Sequence, residues 1–286
     1  MRVEQLRPQR YESVAPEDVL SWLLDDRWVA EQKLDGVRCL VKVANGQHRL
    51  HASTGYEMTR YSALWWTTLD ASFQPLVEST IDTGIEWALD GELMEDGTLW
   101  LFDAPVTSQT GPSDPFSKRR EALVAIGELL GWTESSQVRI VPQAVGCDAK
   151  KELWETVLGT NKEGICLKRL AGPYKTVPGG RTRDVLKVKR TYTVDCVVTA
   201  TRVGNKDSGE IAVYRDGRLI PIGKCTMTES DASVGDVVEV RFLYVNDLDK
   251  PRLFQPILMR QRTDKLPEDC TFDQLVYATV SRSVLA

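Results

Sequence analysis

The run Glu31-Gln32-Lys33-Leu34-Asp35-Gly36-Val37-Arg38 sets the strongest constraint on this chain, because it fixes a lysine, a carboxylate, a glycine and an arginine at the spacing Lys-x-Asp-Gly-x-Arg. A lysine amine attacks only when deprotonated, so a fold that uses it must surround it with cations or dry surface. Glycine admits close backbone approach to a bound nucleotide, and arginine offers donors to ribose or phosphate oxygens. The flanks say where such a group would sit. Trp28-Val29-Ala30 reads as a strand leading into Lys33, and Val37 to Val43 alternates as the next one. The lysine is therefore expected at the end of a strand, beside a turn.

A chain of 286 residues suits two domains. At 42% hydrophobic and 27% charged it has the balance of a globular protein with a real core. No apolar run approaches the ~20 residues of a membrane helix, and the start lacks the apolar region of a secretory signal. No membrane partner and a cytoplasmic location are expected. The six cysteines show no Cys-x-x-Cys pairing and are joined by only His48 and His51, which points to free thiols rather than zinc.

A net charge of −5 speaks against nucleic-acid binding through bulk charge. Its distribution differs locally. From Lys162 to Arg190 there are nine basic residues against Glu163 and Asp184 alone, a pattern that fits a surface gripping phosphates in one place.

The expected class is α+β. A helix is expected from Pro16 through Leu24, strands at 49–52, 88–93 and 99–102, and a turn at Asp96-Gly97. Further helices are expected from Ser117, as the cap, to Leu130, and from Asp148 to Leu158. No element is assigned between Gly55 and Ala88. Strands at 165–167 and 185–188 bracket a loop rich in proline and glycine. Beyond Arg190 come five short strands, at 194–202, 210–214, 218–222, 237–244 and 254–259, which suggest a small barrel of the OB type. The boundary divides residues 1–190 from 191–286.

Two acids stand at strand starts or mouths, in Asp90-Gly91-Glu92 and in Glu163-Gly164. Carboxylates so placed suit a magnesium ion, which takes one or two of them with phosphate oxygens and water. Lys187 and Lys189 share one face of a strand, where they could neutralise a phosphate and depress the pKa of Lys33.

Taken together, these segments resemble the covalent lysyl-nucleotide transferase superfamily, and within it the ATP-dependent DNA ligases. The motifs run in order along nearly the whole chain: Lys33 to Arg38, Asp90-Gly91-Glu92, Leu101-Phe102-Asp103, Glu163-Gly164, Lys187-Val188-Lys189 and Arg262-Thr263-Asp264-Lys265. The resemblance implies an adenylation domain followed by an OB domain, with ATP and Mg2+ (or Mn2+) as cofactors and nicked duplex DNA as the partner of a monomer.

The resemblance also implies roles. Lys33 would attack the α-phosphorus of ATP, Glu31 would accept from the adenine amino group, and Arg38 and Glu92 would hold the ribose. Phe102 would stack on the base, and Glu163, with or without Glu92, would carry the metal. Lys187 and Lys189 would meet the α-phosphate, while Arg262, Asp264 and Lys265 would orient the leaving pyrophosphate. Asp35 and the basic residues Lys162, Lys168, Arg169, Arg181 and Arg183 would position DNA.

One departure stands out: relatives carry Ser-Arg-x-Gly after the second strand, whereas Ala52-Ser53-Thr54-Gly55 puts Ser53 in the arginine's place, leaving Arg60 as a substitute. Capping guanylyltransferases usually open the fourth motif with aspartate rather than Glu163. RNA ligases lack the aspartate after the lysine and the terminal Arg-x-Asp-Lys. A catalytically dead nick-binding module would have lost a nucleophile or an acid. The expected activity is nick sealing in DNA repair, replication or recombination, in a viral or accessory setting without further zinc-finger or DNA-binding domains.

Overall fold

The computed structural model describes residues 3–58, 63–160, 162–175, 181–201, 208–227 and 232–278; the side chains of residues 63–68, Arg181 and Tyr277 also lie outside the description. The chain divides into two compact units, Met1–Lys189 and Arg190–Ala286. In the first, the order is β1 (Arg10–Val14), α1 (Val19–Leu23), β2 (Trp28–Lys33), β3 (Val37–Ala44), β4 (Gln47–Ala52), α2 (Ala63–Thr83), β5 (Trp87–Leu93) and β6 (Leu99–Val106). Then follow α3 (Phe116–Leu129), β7 (Val138–Ile140), β8 (Gln143–Ala144), α4 (Cys147–Gly159), β9 (Gly164–Arg169) and β10 (Arg181–Lys189).

These strands form two sheets, ordered β1-β10-β9-β2-β8 and β4-β3-β5-β6-β7. The period of two divides each strand between a helix-covered face and a second face. In β2, Trp28 and Ala30 join Ile165, Leu167, Leu186 and Val188 in a core closed by Val19 and Leu23 of α1 and Trp154 and Val157 of α4. The intervening residues Glu31, Lys33, Cys166, Lys168 and Lys187 therefore point the other way, where they line one cavity. The second sheet repeats the arrangement. Cys39, Val41, Val43, Leu89 and Leu101 pack under Leu69, Phe73, Leu76 and Val77 of α2 and Leu123 and Ile126 of α3. Arg38, Glu92 and Phe102 contribute to the same cavity. Helices thus cover the outer faces and leave the polar faces for a site.

Backbone crowding explains two of the motif glycines. A Cβ on Gly36 would lie 2.5 Å from the Leu93 carbonyl oxygen and 3.0 Å from Glu92 Cγ, and one on Gly164 would lie 2.0 Å from the Val188 carbonyl oxygen. Gly36 therefore serves the contact with β5, and through it Glu92.

Several boundaries differ from the sequence reading. The 21-residue helix α2 fills a stretch to which no element was assigned; Pro75 inside it hides the helical pattern. Helix α3 is entered through Pro115, not capped by Ser117, whose backbone N–H donates instead to the Leu170 carbonyl. Strand β1 was also missed, since Arg10-Tyr11-Glu12-Ser13-Val14 carries little apolar alternation; it forms parallel to β10 at a sheet edge.

In the second unit β11 (Tyr192–Ala200), β12 (Ser208–Arg215), β13 (Arg218–Thr226), β14 (Val237–Phe242) and β15 (Ile257–Gln261) close into a barrel in the order β11-β12-β13-β15-β14. Its interior holds Val194, Cys196, Val198, Ile211, Val213, Ile222, Val238 and Val240. Phe254, expected to begin the last strand, lies outside it and stacks on Tyr244 with ring centroids 4.6 Å apart. Arg202, expected to end β11, lies outside the described residues. All six cysteines are free thiols. Among the described residues no helix is long and apolar enough to cross a membrane.

Candidate active site

Lys33 ends β2 at the edge of a cavity of about 400 Å³ whose lining includes Glu31, Arg38, Glu92, Phe102, Cys166, Lys168 and Lys187. Antiparallel pairing of β2 with β9 sets Lys33 opposite Gly164, which brings the neighbouring Glu163 to the amine. Lys33 Nζ donates to Glu163 Oε2 at 2.5 Å, and Lys189 Nζ lies 3.0 Å from Glu163 Oε1. One carboxylate thus bridges two lysines.

The charge state of Lys33 departs from expectation. Burial alone would lower its pKa, but the Glu163 carboxylate outweighs that by charge and hydrogen bond, and the value stands above that of an ordinary lysine. The value is raised rather than depressed, and Lys189 of β10 is itself held by Glu163. Across the cavity, burial pushes the Glu92 carboxyl up to about 7, against the pull of Lys33 and Arg38. A group so poised exchanges its proton near neutrality.

Arg38 is more committed than the sequence reading supposed. Its Nε and Nη2 donate to Asp90 at 3.1 and 2.6 Å, and Nη1 donates to the Gln9 carbonyl at 2.7 Å. The Tyr174 hydroxyl adds a 2.6 Å hydrogen bond to the same Asp90, which is wholly buried. The guanidinium lies 4.3 Å from the Tyr11 ring centroid and 5.4 Å from that of Phe102. Arg38 therefore fixes a cavity wall, and it fastens the segment Pro8–Tyr11, which sequence reasoning did not connect with the site.

Glu31 lies two residues before Lys33 and so on the same face of β2. It is 2% exposed, with Lys168 Nζ 2.6 Å from Oε2 and Gln143 Nε2 donating to Oε1 at 2.8 Å. Lys168 was expected on a DNA-facing surface. It is instead 1% exposed inside the cavity wall, because its strand parity matches Cys166 rather than Leu167. Other members of the basic run are paired. Arg169 Nε donates to Asp184 at 2.6 Å and Lys175 lies 2.8 Å from the same acid. Arg183 is 91% exposed in its side chain and reaches Glu12 at 3.6 Å. Lys162 is half-buried, and the Arg181 side chain lies outside the described residues.

Asp35 is exposed in the turn after β2. Ser53 and Thr54 line the cavity rim, Arg60 lies outside the described residues, and the Arg7 guanidinium packs on Gly55. In the second unit, Asp195 accepts from Arg262 Nη1 at 3.0 Å and from Lys265, while Arg262 Nη2 donates to Asp264 at 2.7 Å. The three terminal-motif residues thus form one ionic cluster around Asp195, a member the sequence reading missed.

Among the described residues no group of three or more His, Cys, Asp or Glu side chains could hold a metal by itself. Glu163 and Glu92 nonetheless flank Lys33, and two carboxylates completed by phosphate oxygens and water fit a magnesium ion.

No family model matches the chain. Known proteins are more informative. DNA ligase C1 of Mycolicibacterium smegmatis is 25% identical over 319 residues, covering 87% of this chain and 88% of that protein. The chain is similar to DNA ligases. A probable DNA ligase of Anaeromyxobacter sp. (strain K) is 29% identical over 227 residues, covering 71% of this chain and 42% of that ligase. Among solved structures, a Lig E DNA ligase matches with TM-score 0.60 at 20% identity, covering 90% of this chain and 99% of its own. A mycobacterial DNA ligase D complexed with ATP matches with TM-score 0.51 at 19% identity, covering 95% and 99%. The ligase fold is shared at these identities, and the cavity around Lys33 lies within it.

Proposed function

We propose that this chain is an ATP-dependent DNA ligase that seals a 3′-hydroxyl to a 5′-phosphate at nicks in duplex DNA. The observation that carries the proposal is the placement of Lys33 at the mouth of a nucleotide-sized cavity, between the carboxylates Glu163 and Glu92 and close to lysines of β10. In this reading residues 1–190 form the adenylation domain, and the barrel of residues 191–286 is an OB fold.

Lys33 first loses a proton to water and attacks the α-phosphorus of ATP. A nitrogen–phosphorus bond forms as the bond to pyrophosphate breaks, leaving AMP on Nζ. The 5′-phosphate of the nick then displaces Lys33 from that phosphorus. Finally the 3′-hydroxyl attacks the 5′-phosphorus, AMP departs and the strand is closed. Each step is an in-line transfer at phosphorus, in which positioning and charge neutralisation supply most of the catalysis.

Glu31 accepts from the base, Phe102 stacks on it, and Glu92 with Arg38 holds the ribose. Asp90 keeps the Arg38 guanidinium plane fixed for that task. Lys187 and Lys189 neutralise the α-phosphate. A divalent ion held by Glu163 and Glu92 would add charge neutralisation at the phosphates. Arg262, Asp264 and Lys265 serve the pyrophosphate-leaving step, and Asp35, Lys162, Arg169, Arg181 and Arg183 position the DNA ends.

The test is incubation with α-labelled ATP or GTP and a divalent ion, followed by a chase with nicked DNA. Label from ATP that vanishes in Lys33→Ala and discharges on DNA nicks supports the reading. Label from GTP, or discharge on nicked RNA alone, overturns it.

A further inference from the structure

We propose that Lys168 sets the base selectivity of the nucleotide cavity, by holding the Glu31 carboxylate in place as an acceptor-only group facing the purine edge. The inference deepens the function proposed above and rests on it. Lys168 is a positioning residue here: it acts on the base through Glu31 and Phe102.

The geometry is specific. Lys168 Nζ lies 2.6 Å from Glu31 Oε2 and donates to the Phe102 carbonyl at 3.0 Å. The same ammonium sits 4.3 Å from the Phe102 ring centroid and 4.9 Å from that of Phe116. One buried cation therefore ties the acceptor for the edge of a base to the ring available for its face. Gln143 is the strand partner of Glu31 across β8, and its Nε2 donates to Oε1 at 2.8 Å. Arg120 Nη1 lies 3.7 Å from that oxygen and is buried with no hydrogen-bond partner of its own. On the opposite side the register partner is Cys166, whose thiol burial pushes up to about 11, so it adds no charge. Both Glu31 oxygens are thus held from the protein side by donors, and the carboxylate has no freedom to turn.

The consequence is chemical. An ionised carboxylate only accepts, so it welcomes the amino group at C6 of adenine and repels the carbonyl oxygen at C6 of guanine. Removing Lys168 takes the buried donor from Oε2, so the carboxylate can turn out of the place where it refuses the guanine carbonyl. Without Lys168 the cavity should lose its distinction between the two bases, beyond any general loss of rate.

The experiment measures lysyl-nucleotide formation by the full chain with ATP and with GTP, for wild type, Lys168→Met, Lys168→Arg and Gln143→Leu. Lys168→Met is expected to raise KM for ATP more than it lowers kcat, and to cut the ATP-to-GTP ratio of kcat/KM by at least ~10-fold. Lys168→Arg should restore most of the ratio, and Gln143→Leu should reduce it by a smaller factor. If Lys168→Met does not fold, by circular dichroism, the Gln143→Leu ratio decides. A wild-type chain that never takes label sinks the reading of the cavity together with this inference. A labelled wild type whose folded variants keep its full ATP preference overturns the inference alone.

Discussion

Glu163 holds the Lys33 ammonium at 2.5 Å and raises its pKa above the ordinary lysine value, so the candidate nucleophile is kept charged in the ligand-free chain. Activation must then come from whatever loosens that pair. Removing the carboxylate leaves burial as the dominant influence, and burial lowers a lysine. Glu163→Gln is expected to shift Lys33 titration, followed by the pH dependence of its modification by an amine reagent, from above the ordinary lysine value to below it. A Lys33 that titrates at the same pH in both proteins contradicts this.

Glu92 should make stability fall with rising pH. Its folded-state value, pushed up to about 7, stands above the ordinary 4.5, so between these the folded chain binds more protons than the unfolded one. The stabilisation is full below about pH 4.5 and is lost as pH rises through about 7, by at most roughly 3 kcal/mol. Denaturant unfolding of wild type and Glu92→Gln across this window checks it: the variant should lack that part of the slope.

Lys150 is fully buried and spends its ammonium on the carbonyls of Asp25 at 2.7 Å, Trp28 at 3.0 Å and Trp22 at 3.4 Å. It closes the end of α1 and the turn into β2. Lys150→Met fills the volume yet takes a donor from three carbonyls, two of which keep a backbone N–H (Trp28 to Asp25, Asp25 to Trp22), and should cost roughly 1–3 kcal/mol by denaturant unfolding. A loss below ~1 kcal/mol would mean that water replaces the ammonium there.

The sequence made much of this site legible. The order of the motifs, read through the resemblance, singled out Glu31, Lys33, Glu92, Phe102 and Lys187, and all five line one cavity. Partner choice was less readable. Nothing in the run from Lys162 to Arg190 told that Asp184 would gather Arg169 and Lys175, or that Lys168 would turn inward to Glu31. Such pairings depend on which strands lie side by side. Helix α2 escaped because Pro75 interrupts its apolar stripe, and β1 because it relies on β10 for its hydrogen bonds.

Arg183 tests the DNA surface. Its side chain is 91% exposed, so Arg183→Ala should leave folding intact while weakening nicked-duplex binding and flattening its salt dependence by about one phosphate contact. An unchanged salt slope removes that end of β10 from the DNA surface.

The central claim is that Lys33 becomes covalently loaded with AMP. Peptide mapping by mass spectrometry, after incubation of the folded chain with ATP and magnesium, tests it most directly. The account predicts the added mass of a single AMP on Lys33, absent in Lys33→Ala and lost on addition of pyrophosphate. A folded chain that gains no such mass, or gains it on another residue, contradicts the account.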